Sequence, residues 1–212
     1  MQDWPGIVEA ARVGGWIVYP LTLLAVIALI IILDRAWVFW RFASIAGAVS
    51  ETGGLSSGGE FDAMLLALPP RHAMRRLLEP LIVHAAKPVW WVEARAGALA
   101  LEVQRDMSRG LWVLETIVTA APLLGLLGTI VGMMHAFHLI GDNGLVNPTG
   151  VTGGVAQALV ATAIGLVIAL VALFAFNYFS RRVDRLVDEL EASAETWLSD
   201  IRLAQEQAGT TR

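Results

Sequence analysis

The chain has 212 residues, of which 56% are hydrophobic and 16% charged, with a formal net charge of −4 and a mean hydropathy of +0.63. That balance lies outside the soluble globular range and describes a multi-span membrane protein with a modest soluble part. With no cysteine, disulfides, thiolate metal sites and cysteine catalysis are excluded. No other nucleophile constellation, metal-ligand spacing or phosphate loop is present, so neither an enzyme, a cofactor nor a nucleic-acid partner is expected.

Residues 1–15 form a short, mildly polar segment in which Trp4, Pro5 and Gly6 suggest an interfacial stretch. It lacks the basic start of a secretory signal, and the apolar run that follows ends in Asp34-Arg35 without a small-residue cleavage site, so 16–33 reads as a retained span. Trp16 and Tyr19 mark one interface, Trp37 and Trp40 the other. Leu23, Leu24, Val26, Ile27 and Leu29 make this helix apolar all round, which suits lipid.

Residues 34–115 turn polar. Gly53-Gly54 and Gly58-Gly59 mark a loop, and helical patterns are expected at 60–68 and 73–87, parted by Pro69-Pro70. His72 and His84 have no ligand spacing and are expected at the surface. Beyond Pro88 a helix with Ala96, Leu99, Val103, Met107 and Leu114 on its apolar side is expected to run unbroken into the second span, because no proline intervenes before Pro122.

The second span, 116–140, would be about 39 Å long as a helix with its flanking glycine, enough to cross roughly 30 Å of hydrocarbon. Pro122, Gly125, Thr129, Gly132 and Ala136 alternate at spacings of three and four and share one face. The third span, 154–179, repeats the device with Gly154, Ala158, Thr162, Gly165, Ala169 and Ala172. Small residues let helices approach closely in a membrane. Such a face serves either plain packing or a conduction path, and both readings stand on these residues alone. A 141–153 loop joins the two spans. From 180 to 212 the helix continues, and Val183, Val187, Leu190, Ala194, Trp197, Ile201 and Ala204 form a heptad seam. Its partner is either the helix before the second span or the same helix in a neighbouring copy.

Of the 15 Lys and Arg, only Arg12 precedes the first span and none lies between 140 and 153. The positive-inside rule therefore sets the N-terminus and the 141–153 loop outside, and the middle region and tail in the cytoplasm. The expected fold is an all-α membrane protein with three transmembrane helices, N-out and C-in, whose long helices extend into the cytoplasm.

At this point the residues carry a resemblance. Arg109-Gly110, Thr116-Ile117, the stretch from Pro122 through Gly125, Gly128 and Thr129 to Gly132, and then Gly154 through Gln157-Ala158 and Thr162 to Gly165-Leu166 resemble the MotA/TolQ/ExbB proton channel family, its ExbB members most of all. The resemblance implies a bacterial inner-membrane, multi-pass subunit, assembled as a homo-oligomer with a pentamer favoured. It implies a single-span partner of the ExbD or TolR type carrying an intramembrane Asp. It also implies protons as the driving ion and mechanical work on a TonB-like or TolA-like protein. Carried over, the two pore threonines fall on Thr129 and Thr162 and the inner proline on Pro122; Gly125, Gly132, Ala158 and Gly165 would line the same path. The acidic residue expected before Ala158 is here Gln157, which cannot titrate. Glu115, just below the second span, is either an inner-side exit or an interfacial charge. No Asp, Glu, Lys or Arg lies inside any span, and membrane relays normally use such groups. His135 and His138, toward the outer end of the second span, are either groups suited to proton exchange or interfacial residues with no relay role. A TolQ-like envelope role and a non-conducting scaffold remain as alternative functions.

Overall fold

The computed structural model of the chain describes residues 15–42, 70, 72–84, 87–141 and 148–210. They form five helices: α1 Val18–Phe42, α2 Ala73–Val83, α3 Val89–Met107, α4 Leu111–Gly141 and α5 Pro148–Thr210. Three of these contain stretches long and apolar enough to cross a membrane, Val18–Trp40, Leu111–His138 and Thr149–Ser199. The all-helical, three-span expectation therefore holds. The helical pattern at 60–68 lies outside the described residues.

Two compact units divide the chain, Met1–Leu33 with Gly110–Tyr178, and Asp34–Arg109 with Phe179–Arg212. In the first, α4 and α5 lie antiparallel. Small residues pair in reverse order along them, Ala136 with Gly154, Gly132 with Ala158, Gly125 with Thr162 and Ala121 with Gly165. The start of α1 meets the same pair: a Cβ on Gly128 would stand 3.3 Å from Ile17 Cγ2, and one on Gly110 would stand 3.6 Å from Ile31 Cγ2. α1 thus runs antiparallel to α4. Its outer side keeps Leu23, Leu29 and Ile30 exposed, as a lipid-facing helix requires.

In the second unit α2 packs against α3. Leu77, Leu78 and Leu81 of α2 are buried, as are Val92, Ala96, Leu99 and Val103 of α3. Arg76 forks across two α3 carboxylates, 2.7 Å from Asp106 and 3.2 Å from Glu102. The α5 seam buries Val183, Leu190, Ala194 and Trp197 as expected, together with Leu186 and Leu198, so the apolar stripe is wider than a strict heptad. Arg202 pairs with Glu93 at 2.8 Å, tying α5 to α3, while Phe39 of α1 stacks on Phe179.

The expected unbroken helix from Pro88 into the second span is corrected by a break. α3 ends at Met107 with Ser108 as its C-cap, and Gly110 takes a left-handed φ of 83° before α4 starts. Only glycine adopts that conformation without steric cost. The end of α3 is then capped from a distance. Arg35, 8% exposed, donates Nη1 to the Asp106 and Met107 carbonyls at 3.2 Å each. Both belong to the last turn of α3, where a carbonyl has no donor four residues on; the Asp106 carbonyl also accepts the Arg109 N–H at 3.4 Å. Asp34 balances the charge, 2.7 Å from Arg35 Nη2.

α2 also ends earlier than the 73–87 pattern suggests, at Val83 with His84 as C-cap. The surface assignment of the two histidines fails as well. His84 is half-buried, tilted against Trp91 with ring centroids 5.2 Å apart, and its Nδ1 stands 2.7 Å from the Pro80 carbonyl, which can only accept. His72 is 2% exposed, and neither ring nitrogen has a hydrogen-bond partner among the described residues.

Burial holds the His72 imidazolium pKa below its ordinary 6.5. The unfolded chain therefore binds that proton more readily than the folded one. The resulting stability is complete above the unfolded value and is lost as pH falls through the lowered folded one. His72→Leu is expected to flatten the decline of the thermal transition between about pH 7 and pH 5. It should also raise stability at neutral pH by about 1 kcal/mol, because two unpaired nitrogens leave the interior. Thermal unfolding of both proteins across that pH range is the check.

Candidate proton-path site

The site is built from the facing stripes of α4 and α5. A β-carbon placed on Gly125 would stand 3.0 Å from Thr162 Cα, and one on Gly132 would stand 2.9 Å from Ala158 Cβ and 3.0 Å from the Gly154 carbonyl. One on Gly165 would come within 2.5 Å of the Ala121 carbonyl. The two backbones therefore touch. A β-carbon at Gly132 or Gly165 would force a neighbour to shift, and one at Gly125 would fit only if the Thr162 backbone gave by a few tenths of an ångström. Gly125, Gly132, Ala158 and Gly165 are all buried in this contact within one chain.

The two threonines differ. Thr162, half-buried, donates its Oγ1 hydrogen across the seam to the Gly125 carbonyl at 2.9 Å. Thr129 turns back along its own helix and donates to the Leu126 carbonyl at 2.7 Å. Each hydroxyl oxygen keeps lone pairs that can accept from water or a proton carrier. Pro122, half-buried within α4, has no N–H to offer the Val118 carbonyl one turn below. That places a carbonyl without its helical donor in the apolar part of the helix.

Gln157 is half-buried and lies against the start of α1. A β-carbon on Gly15, whose φ is 68°, would overlap the Gln157 amide nitrogen. Glu115 is exposed near the start of α4, and His135 and His138 are exposed near its other end. Among the described residues of α1 from 18 to 33, of α4 from 116 to 141 and of α5 from 148 to 180, these two histidines are the only His, Asp, Glu, Lys or Arg. No group of His, Asp or Glu among the described residues could hold a metal.

Sequence reasoning missed three parts of this seam. Ala161 faces Gly128, and its Cβ would be 2.6 Å from a β-carbon there. Ala121 and Gly125 contribute carbonyl oxygens rather than side chains. The Gly128–Ala161 pair was open to detection as a second row of small residues beside the first. A main-chain acceptor has no signature in a side-chain pattern.

Comparison with known proteins bears on this arrangement directly. The model of the MotA/TolQ/ExbB proton channel family matches residues 70–192, which is more than half the chain and includes both threonines. The chain belongs to the MotA/TolQ/ExbB proton channel family. Its members are channels, not enzymes. A putative biopolymer transport protein ExbB homolog of Methanothermobacter thermautotrophicus is 25% identical over 190 residues, 87% of this chain and 67% of its own length. The putative ExbB-like 1 protein of Synechocystis is 33% identical over 184 residues, 84% of this chain and 72% of the relative. The biopolymer transport protein ExbB of Aquifex aeolicus is 35% identical over 88 residues, 41% of this chain and 60% of its own length. Similarity to members of the MotA/TolQ/ExbB family thus extends in two of the three over most of this chain.

Proposed function

We propose that this protein is the channel-forming subunit of an inner-membrane motor. It would convert proton-motive force into mechanical work on a TonB-type, or TolA-type, partner for outer-membrane transport. The observation that carries this reading is the pair of threonines, Thr129 and Thr162, on apposed spans that hold no carboxylate. A hydroxyl can relay a hydrogen bond but cannot carry the proton across. The carrier must come from a second chain, and a single-span helix of the ExbD or TolR type with one Asp fits that need. Each proton then supplies roughly 2.3 kcal/mol per 100 mV of membrane potential.

The Lys and Arg distribution supports 1–15 and 141–153 on the periplasmic side and 34–115 and 180–212 in the cytoplasm. Copies of the chain would surround the partner helix as a ring, five being the number the family resemblance favours. Thr129, Thr162, Pro122 and the neighbouring Gly125, Gly132, Ala158 and Gly165 would form or support the path wall. Gln157 and Glu115 would stand at its two ends.

A second reading, a non-conducting scaffold, has an observation behind it too: the four small residues are already occupied by packing within one chain. Proton flux into liposomes containing this protein, with and without its single-span partner, separates the two. Flux is expected only when both chains are present. Rapid flux without the partner, abolished by mutating His135 or His138, would place the carrier in this chain. No flux in either case would leave the scaffold.

A further inference from the structure

α3 has two apolar sides, and among the described residues only one of them is packed. At about 100° per residue, Trp90, Ala94, Gly97, Ala98 and Leu101 fall opposite the buried Val92, Ala96, Leu99 and Val103. All five are exposed, Trp90 by 70% and Leu101 by 64%, and a β-carbon on Gly97 would meet nothing within 4 Å. Lipid does not account for this face, because Glu93, Arg95, Glu102, Arg105 and Asp106 share the helix and α3 is not among the candidate spans.

Charge says what covers it. The α3 acids are matched within their own unit, Glu93 by Arg202 and both Glu102 and Asp106 by Arg76. Arg95, Arg105 and Arg109 are exposed and make no ion pair with a described residue, and Arg105 stands on the apolar face itself. On α5 the reverse holds. Asp184, Asp188, Glu191 and Glu195 recur at spacings of four, three and four along one edge, exposed and likewise unmatched. Each copy of the chain thus carries arginines on α3 and carboxylates on α5 that no described ion pair uses. Arg181 and Arg185 flank Asp184 and Asp188 one turn away, which leaves Glu191 and Glu195 as the acidic end of the edge.

The two surfaces also stand at the same height. Arg35 touches the end of α3 and Phe39 stacks on Phe179, while Glu93 meets Arg202, so α3 and this part of α5 are antiparallel. Counting from the Glu93–Arg202 pair, Arg105 is level with about residue 190, between Asp188 and Glu191. Copies related by rotation about an axis along the helices keep every residue at its own level, and such a ring joins two different surfaces head to tail.

We propose that the exposed α3 face, with Arg105 at its edge, docks on the Asp184–Glu195 edge of α5 in the next copy of this chain. This rests on the oligomeric reading above and names the surface that closes the ring. Native mass spectrometry of the full chain in mild detergent tests it. Arg105→Glu and Glu191→Arg are each expected to weaken the oligomer by at least about tenfold, and the double variant to restore it.

Because the chain has no cysteine, Arg105→Cys with Glu191→Cys gives a second, independent measurement. Oxidation should produce a ladder of cross-linked multimers. Single variants as oligomeric as the parent, or an oligomer that gives no ladder, would overturn the surface while leaving the oligomer standing. A parent that is itself monomeric would instead overturn the oligomeric reading. A ladder lost when another protein or lipid is added would assign the face to that occupant.

Discussion

Thr162→Val is expected to reduce proton-driven transport by at least about tenfold, equivalent to 1.4 kcal/mol on the limiting barrier, while the oligomer survives. Valine keeps the outline of threonine and removes the hydroxyl. The packing that surrounds Thr162 is made by Gly125, whose hydrogen faces Thr162 Cα, and valine leaves that contact intact. What disappears is the bond from Oγ1 to the Gly125 carbonyl, a loss of about 0.6 kcal/mol if it behaves as interhelical bonds in membranes do. That carbonyl retains its place as an acceptor in the α4 ladder, so no buried group is orphaned. Thr162→Ser, which keeps the hydroxyl, should recover most of the activity. The paired measurements are energised uptake in cells and native mass spectrometry of the purified assembly. Full uptake by a stably expressed Thr162→Val variant would remove Thr162 from the path and favour the scaffold.

Gly165→Leu is expected to do the opposite, destroying the fold of the α4–α5 pair before any question of transport arises. Even the β-carbon of Gly165→Ala would press on the Ala121 carbonyl at 2.5 Å and on Gly125 Cα at 3.2 Å. Overpacking of that order costs about 1–3 kcal/mol, and the larger side chain more. Gly153→Ala supplies the contrast on the same helix. A β-carbon there meets nothing within 4 Å, so the change should be neutral or stabilising by up to about 1 kcal/mol. Thermal unfolding of the three variants in one detergent gives the comparison. Equal transitions for Gly165→Ala and Gly153→Ala would show that the helices are not in backbone contact at Gly165.

The periodic features were legible in the sequence because they are properties of one helix at a time. Gly125, Gly132, Ala158 and Gly165 declare a small-residue face by spacing alone, and the structure brings those faces together. What the spacing left open was the partner of the face, since packing and conduction ask for the same residues. The break at Gly110 was missed for a different reason. A single glycine inside a helical pattern is compatible with either helix or turn, and only the chain around it selects the left-handed φ. The burial of His72 and the capping role of Arg35 depend on contacts with distant segments. Arg35 read as a flanking positive charge, and its use as a helix cap came from 71 residues further along the chain. The Gln157 position shows the limit of carry-over, because the side chain that replaces the expected acid lies against the start of α1.

Apart from the Thr162 hydroxyl, the α4–α5 seam is made of glycine hydrogens, alanine methyls and main-chain carbonyls, groups that have no rotamers to exchange. Switching inside proteins commonly works by side chains moving between alternative packed arrangements, and here there is no second arrangement to move to. The pair is therefore a single stave. Any shape change that accompanies proton passage has to take place along the edges of that stave, where Leu, Ile, Met and Phe side chains are free to re-sort.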